Sequence, residues 1–415
     1  MTFSERLMNY GEWRLRLRPD TPLNILGTLD LDRFGFGHIV ILPTWQKLNE
    51  IGSGYTDADR RAKARYMGVY RSRDSEFEFS GPGLPFWLGD EDGKGDTIAS
   101  ITGGATGSGT FLQWAVSCTP AGFDYDVLPT APGGTYIKLY ERVTRREILN
   151  DVVSRFGVEW KMTPDFKFHF GVIDEVFETT PRAAIVRNMG VGHDTHLQAV
   201  AGEFDIEQDL EDWTRQVDYY TGTEASPTIS TANSGAGAAD IPYRNVDGTA
   251  IPMTRIIEDF GDTPTSSGAT LAAAQFGRFN RIRQQLTAVS TGFDIGDRVS
   301  VGDFVWLYDP ARNLVNLANE VPYRGGVIWP VKIRCTGMTS PIRKGMGVYF
   351  RRWIDNNTTT WDVDWVDLTE WVEWDRESTR VEMGDLPRPV SYRSNVTRDR
   401  RDVQAQSRYL NSIIL

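Results

Sequence analysis

The sequence is poor in cysteine. Cys118 and Cys335 are its only thiols and lack the paired spacing of a zinc site or redox motif. They are expected to be buried, reduced and structural, because a free cysteine packs as a small hydrophobe. A disulfide between them stays open as an alternative. Basic charge is also in deficit. With 45 Lys and Arg against 56 Asp and Glu, the net charge is −11. Binding to a phosphate backbone relies on clustered cations, so no sequence-specific nucleic-acid partner is expected. No run approaches the roughly 18 apolar residues that cross a bilayer. The opening Met1-Thr2-Phe3-Ser4-Glu5-Arg6 lacks the layout of a signal peptide. The expectation is a soluble chain made in the cytoplasm, with no membrane span. No internal period is found either, which disfavours a solenoid or propeller.

What the chain has is 40 Gly, 20 Pro and 13 Trp, the mixture expected of strands punctuated by turns. At 415 residues it is too long for one ordinary core. The expected fold class is mainly β (α+β).

Trp13-Arg14-Leu15-Arg16-Leu17 alternates apolar with basic, as a strand with one wet face does. Further strands are expected over Leu29–Leu42, Met67–Tyr70, Glu76–Phe79, Val327–Ile333 and Gly345–Trp353. Tyr55–Tyr66 is polar and reads as a short helix or a mobile excursion. Gly89–Gly109 is Gly-rich and reads as a surface loop. The clearest helix is Glu141–Phe156. Ile148, Leu149, Val152, Val153 and Phe156 line one face, and Thr144 with Glu147 forms a capping box. A hairpin should follow, Val158–Met162 and Phe166–Val172, with Phe166, Phe168 and Phe170 on one side. Ser226–Ala239 reads as an exposed low-complexity excursion, and Ala269–Phe279 as a helix. Two Gly-Asp turns, Gly296-Asp297 and Gly302-Asp303, lead to Phe304-Val305-Trp306-Leu307-Tyr308, a run that suits a pleated surface. A small barrel or sandwich is expected to close there. Past Pro389 a polar arm carries Arg393, Arg398, Arg400, Arg401 and Arg408 and ends in Ile413-Ile414-Leu415.

Candidate chemistry is sparse. His193-Asp194-Thr195-His196 holds metal-ligand residues but follows Gly190 and Gly192, with no cysteine nearby. Asp90–Asp96 imitates a calcium loop, yet Lys94 and Ile101 stand where oxygen ligands belong. Thr102–Gly109 has the glycines of a phosphate loop without its lysine. Asp362, Asp364, Asp367, Glu370 and Glu373 sit among Trp361, Trp365, Trp371 and Trp374, which could stack on sugars. An ordinary strand with one buried face explains that alternation equally well. No catalytic, cofactor or metal residue is assigned, no cofactor is expected, and the chain is read as a non-enzyme.

Several blocks carry a resemblance. Thr144-Arg145-Arg146-Glu147-Ile148-Leu149-Asn150-Asp151-Val152-Val153 with Phe156-Gly157-Val158-Glu159-Trp160 resembles the helix and following strand of minor tail proteins from long-tailed phages of actinobacteria. Arg278–Leu286, followed by Val301-Gly302-Asp303-Phe304-Val305-Trp306-Leu307, resembles a later barrel of that group. Phe79-Ser80-Gly81-Pro82-Gly83-Leu84 with Trp87-Leu88-Gly89-Asp90 is similar to its early strand-and-turn block. The family is that of baseplate hub, or tail tip hub, proteins.

The resemblance implies two β-barrel or sandwich hub domains, 1–125 and 201–355. It also implies an inserted helix-plus-hairpin α/β unit at 126–200, with a Trp-rich segment and extended C-terminal arm at 356–415. It further implies a homotrimeric ring in the virion, at the phage tail tip. The ring would join the distal tail protein and the tail tube or tape measure to other tail tip proteins and let DNA pass. The alternatives are a carbohydrate-binding or processing tip protein and a hexameric distal tail protein.

Overall fold

The computed structural model describes residues 2–29, 37–44, 56–89, 97–102, 108–127, 135–137, 139–156, 158–171, 180–181, 183–186, 198–199, 201–209, 213–233, 245–249, 251, 253–261, 264–280, 283–290, 295–309, 314–323, 326–355, 361–374 and 379–384. The chain is mainly β, in several sheets with helices packed on them.

The largest sheet has 11 strands and is organised by Val331–Pro341. That strand pairs with Phe304–Tyr308, Thr2–Arg6 and Thr379–Gly384, with a bulge between Cys335 and Gly337. Glu12–Arg16 follows Thr2–Arg6 in the sheet and is flanked by Glu78–Pro82. The alternation in Glu12–Arg16 does what its period implies: Trp13 and Leu15 are buried while Glu12, Arg14 and Arg16 face water. A second sheet orders Trp361–Asp367, Gly347–Asp355, Gly37–Leu42 and Tyr66–Val69. Every residue of Gly37–Leu42 is buried, so this strand lies inside the protein with both faces covered.

These two sheets share one core, in which Trp13, Leu15, Ile39, Phe79, Val305, Ile333, Phe350 and Val381 meet. The core draws on residues from Phe3 near the start to Met383 near the end of the described chain. Among the described residues no sheet closes on itself, which corrects the expected barrels. Phe304–Tyr308 lies inside an open sheet because its hydrogen-bonding sides are taken by Val331–Pro341 and Ala184–Val186.

A second core lies under three helices, Phe111–Cys118, Arg145–Phe156 and Gly268–Phe279. The capping box is present: the Thr144 N–H donates to Glu147 Oε2 at 3.0 Å, and the Glu147 N–H donates to Thr144 Oγ1 at 3.2 Å. It fixes the helix start at Arg145, and the expected first turn belongs instead to the strand Leu139–Thr144. The hairpin is Glu159–Thr163 with Lys167–Gly171. Phe168 and Phe170 enter this core, whereas Phe166 sits in the turn at φ +60° and packs elsewhere. Tyr219 and Leu271 enter the same core.

Other expectations change in the same way. Ser226–Asn233 is a regular strand paired with Gln216–Thr223, although its exposure is as expected. Thr97–Thr102, inside the expected Gly-rich loop Gly89–Gly109, is a strand paired with Leu139–Thr144, and Ser108–Thr110, at its end, is one paired with Thr135–Ile137. Gly302 does form a turn, at φ +95°, and Asp303 Oδ2 accepts the Ser300 N–H at 2.9 Å. Gly296-Asp297 does not; it lies in the short helix Ile295–Arg298. There an added Cβ at residue 296 would meet Ser340 Oγ at 2.0 Å. The C-terminal arm lies outside the described residues.

Candidate functional site

His193-Asp194-Thr195-His196, Asp90–Asp96 and Gly103–Gly107 lie outside the described residues. Cys118 and Cys335 are free, buried thiols in separate cores. Burial pushes the Cys118 thiol up to about 12 and raises that of Cys335 as well.

A dense polar cluster gathers around Arg351 in Gly347–Asp355. Asp57 opens the helix Asp57–Ala62, which Thr56 and Asp59 cap reciprocally. Arg351 donates to both Asp57 oxygens, Nε to Oδ1 at 2.8 Å and Nη2 to Oδ2 at 2.9 Å. Trp365 Nε1 adds a bond to Oδ1 at 3.0 Å and Arg61 Nε one to Oδ2 at 2.9 Å. Burial works against the Asp57 carboxylate, but these donors, led by Arg351, hold its pKa below the usual carboxylate range. Arg61 also stacks over the Phe166 ring at 4.2 Å.

Beside the pair lies His38, buried, with Nδ1 3.5 Å from Arg351 Nη1 and no partner for Nε2. Burial, reinforced by the Arg351 charge, pushes its imidazole down to about 3. A carboxylate saturated by donors and a histidine that stays neutral are unsuited to proton transfer near pH 7. The cluster instead ties a sheet, a helix and the Phe166 turn together. The sequence reading missed it. The Thr56-x-x-Asp59 box was its one local signal, since the contacts join residues 294 positions apart.

Two depressions lined by described residues have the form of clefts. One, of about 220 Å³, lies between the first strand and the hairpin, lined by Glu5, Arg65, Tyr66, Trp160, Lys161 and Asp303 among others. Arg65 donates to Glu5 Oε2 at 2.6 Å, Val299 O at 2.6 Å and Gly296 O at 2.8 Å. Its Nη1, the Tyr66 hydroxyl and Trp160 Nε1 are buried without partners. Glu5 is engaged by Arg65 and Asp303 by its own turn, so this cleft presents no opposed pair of open carboxylates. The other is an open groove of about 450 Å³ lined by Arg14, Arg16, Asp74, Glu78, Glu373 and Trp374. There Arg16 bridges Glu373 at 3.0 Å and Glu78 at 3.6 Å.

The carboxylates near the tryptophans are largely engaged too. Asp364 accepts two bonds from Arg352, at 2.9 and 2.8 Å, and Asp367 accepts the Thr369 N–H at 2.8 Å. Trp371 and Trp374 pack on the main core, and Trp365 is held by Asp57. Trp361 and Trp353 are the exposed pair, 64% and 38% accessible. The register Trp353↔Val363 and Asp355↔Trp361 puts both on one face of the hairpin. No group of three or more His, Cys, Asp and Glu side chains able to hold a metal occurs among the described residues.

No protein-family model matches the sequence, and no curated protein matches it. Among solved structures the chain is similar to the 43 kDa tail protein of prophage MuSo2 from Shewanella oneidensis, at 11% identity over 93% of each chain with a TM-score of 0.48. It is also similar to a prophage tail protein from Listeria monocytogenes, at 10% identity over 94% of this chain and 89% of that one, TM-score 0.44. A tail protein from Neisseria meningitidis is 11% identical over 78% of this chain and 81% of that one, TM-score 0.43.

Proposed function

We propose that the chain is a structural subunit of a phage tail tip, a hub protein that assembles into a homotrimeric ring. The ring joins the distal tail protein and the tail tube to the tip proteins and lets DNA through, and it makes and breaks no bonds. The observation that carries this reading is where charge and sheet edges sit. Four buried charges, Arg351, Arg334, Arg65 and Asp259, are held in ion pairs with Asp57, Glu159, Glu5 and Arg155 respectively. Open sheets, by contrast, end in exposed strands suited to subunit contact. The sequence blocks quoted above for the tail hub family support the same reading.

Native mass spectrometry of the purified chain tests it. Three copies are expected. Six would favour a distal tail ring, and a monomer at all concentrations would refute ring assembly.

Exposed Trp353 and Trp361 favour one second reading, a carbohydrate-binding surface of the tip. Binding of host cell-wall polysaccharide that disappears in Trp361→Ala would support it. Equal retention of parent and variant, or none of either, would remove it.

A further inference from the structure

Among the described residues, the sheet that orders Ser226–Asn233, Gln216–Thr223 and Thr254–Glu258 has both outer strands at an edge. The backbone of the middle strand shows which groups those edges present. Tyr220 O accepts from the Asp259 N–H at 2.9 Å, Gly222 O from Gly261 at 3.0 Å, and the Gln216 N–H donates to Met253 O at 3.1 Å. Even-numbered residues of the middle strand therefore turn their peptide groups toward Thr254–Glu258, and odd-numbered ones toward Ser226–Asn233. With Gly222↔Pro227, Tyr220↔Ile229 and Asp218↔Thr231 in register, Pro227, Ile229 and Thr231 turn their backbone groups outward. On the other edge Met253 and Asp259 face inward, so Thr254, Ile256 and Glu258 face outward. Pro227 fits this geometry, because its missing N–H falls on the open side and removes no bond from the sheet.

The two edges also match in side chains. Tyr219 packs with Leu271 and Ala272 of the helix Gly268–Phe279. Ile229, Tyr220 and Ile256 point the other way. Ile229 is 52% and Ile256 59% exposed, each at its own edge of that open face. Ser226–Asn233 carries no charged residue, whereas the edge strand Trp361–Asp367 carries three Asp. In a chain of net charge −11 an uncharged edge lets another copy approach, and Arg255 and Glu258 on the facing strand meet no like charge. Ser226–Asn233 runs antiparallel and Thr254–Glu258 parallel to the middle strand. Opposite edges of copies rotated about an axis along the strands therefore meet antiparallel.

Resting on the ring reading above, we infer that the contact between neighbouring subunits is a β-ladder between the Ser226–Asn233 edge and the Thr254–Glu258 edge of the next copy, with Ile229 opposite Ile256 of the partner subunit. In that register Thr231 faces Thr254 of the partner subunit, and the Pro227 carbonyl accepts from Glu258 of the partner subunit. About five backbone hydrogen bonds form, and none requires a donor from Pro227. The two exposed isoleucines cover each other. Each copy offers one edge of each kind, so the contact is heterologous and repeats until the ring closes.

The test uses the full chain with Ile229→Cys and Ile256→Cys together. Opposed hydrogen-bonded residues of an antiparallel ladder lie about 5.5 Å apart at Cα, within disulfide reach. Both native thiols are fully buried and will not compete. Mild oxidation is expected to give a covalent ladder on a non-reducing gel that ends at the copy number found by native mass spectrometry, while either single variant stays monomeric on the gel. A double variant that assembles but does not cross-link overturns the ladder and leaves the ring reading standing. A dimer from Ile229→Cys alone overturns it in favour of self-pairing. A parent chain that never assembles overturns both. Thr231→Pro removes an outward N–H that the fold does not use, together with the Thr231 Oγ1 bond to Asp218 Oδ1 at 2.7 Å, and should raise the concentration needed for assembly about tenfold, whereas Thr231→Val, which loses only the side-chain bond, should leave it unchanged. Unchanged assembly in folded Thr231→Pro also counts against the ladder, and the cysteine pair decides the matter if Thr231→Pro does not fold.

Discussion

Asp57→Asn should show how much of the second sheet's stability rests on one carboxylate. In the folded protein Asp57 neutralises Arg351, whose side chain is 2% exposed, while Asp57 itself keeps 27%. Removing one partner of a fully buried ion pair costs about 3–5 kcal/mol, mostly because the other charge is left stranded. The open quarter of Asp57 and the oxygen that Asn retains put the expected loss near the low end, about 3 kcal/mol. Urea unfolding followed by tryptophan fluorescence measures it. The control is the cycle with Arg351→Met, in which the stranded charge is gone. There Asp57→Asn should cost under about 1 kcal/mol, a coupling of about 2 kcal/mol. The sign with pH follows from the lowered carboxyl. The contribution is complete above the ordinary value near 4 and is lost as the pH falls through the lower folded value. The variant should therefore have a flatter acid limb below pH about 4. A loss under about 0.5 kcal/mol with no coupling would refute the account of Arg351 as a buried charge held by Asp57.

His38 gives an acid dependence of its own: below its ordinary 6.5 the unfolded chain takes up a proton that the folded imidazole, at about 3, refuses. Stability should fall by up to about 1.4 kcal/mol per pH unit between those values, and His38→Gln should flatten the pH 6 to 4 region of the unfolding curve. Gly68→Ala drives a Cβ to 2.1 Å from Trp13 Cδ1 in the buried core, so a loss of about 3 kcal/mol or failure to fold is expected by circular dichroism. Thr144→Ala removes the Arg145–Phe156 cap and should cost about 1 kcal/mol in chemical denaturation, with the same fold by circular dichroism. Cys118 and Cys335 should resist a thiol reagent at pH 8 until denaturant is added, and rapid labelling of the folded chain would contradict their burial.

Local signals were legible where chemistry a few residues apart decides the outcome. The Thr144–Glu147 box, the apolar stripe from Ile148 to Phe156, the alternation Trp13–Leu17 and the turn at Gly302 all appear as expected. Signals failed where a distant strand decides. Ser226–Asn233 looks like an excursion by composition and becomes a strand because Gln216–Thr223 supplies its ladder. Gly296 resembles a turn glycine, yet Ser340 is the reason it has no side chain. The Asp57, His38 and Arg351 cluster had no periodicity to announce it.

By itself the sequence determined the β-dominated class, the apolar helix face from Ile148 to Phe156 with its Thr144–Glu147 cap, and the net charge of −11. Each of these follows from composition or from neighbours within about one helical turn. Only the tertiary structure decided that the sheets stay open among the described residues, that one core unites segments from both ends of the described chain, and which edges face water. Sheet pairing joins backbone groups that are chemically alike in every strand, so the choice of partner is made by the packing of distant side chains and not by any local run of residues.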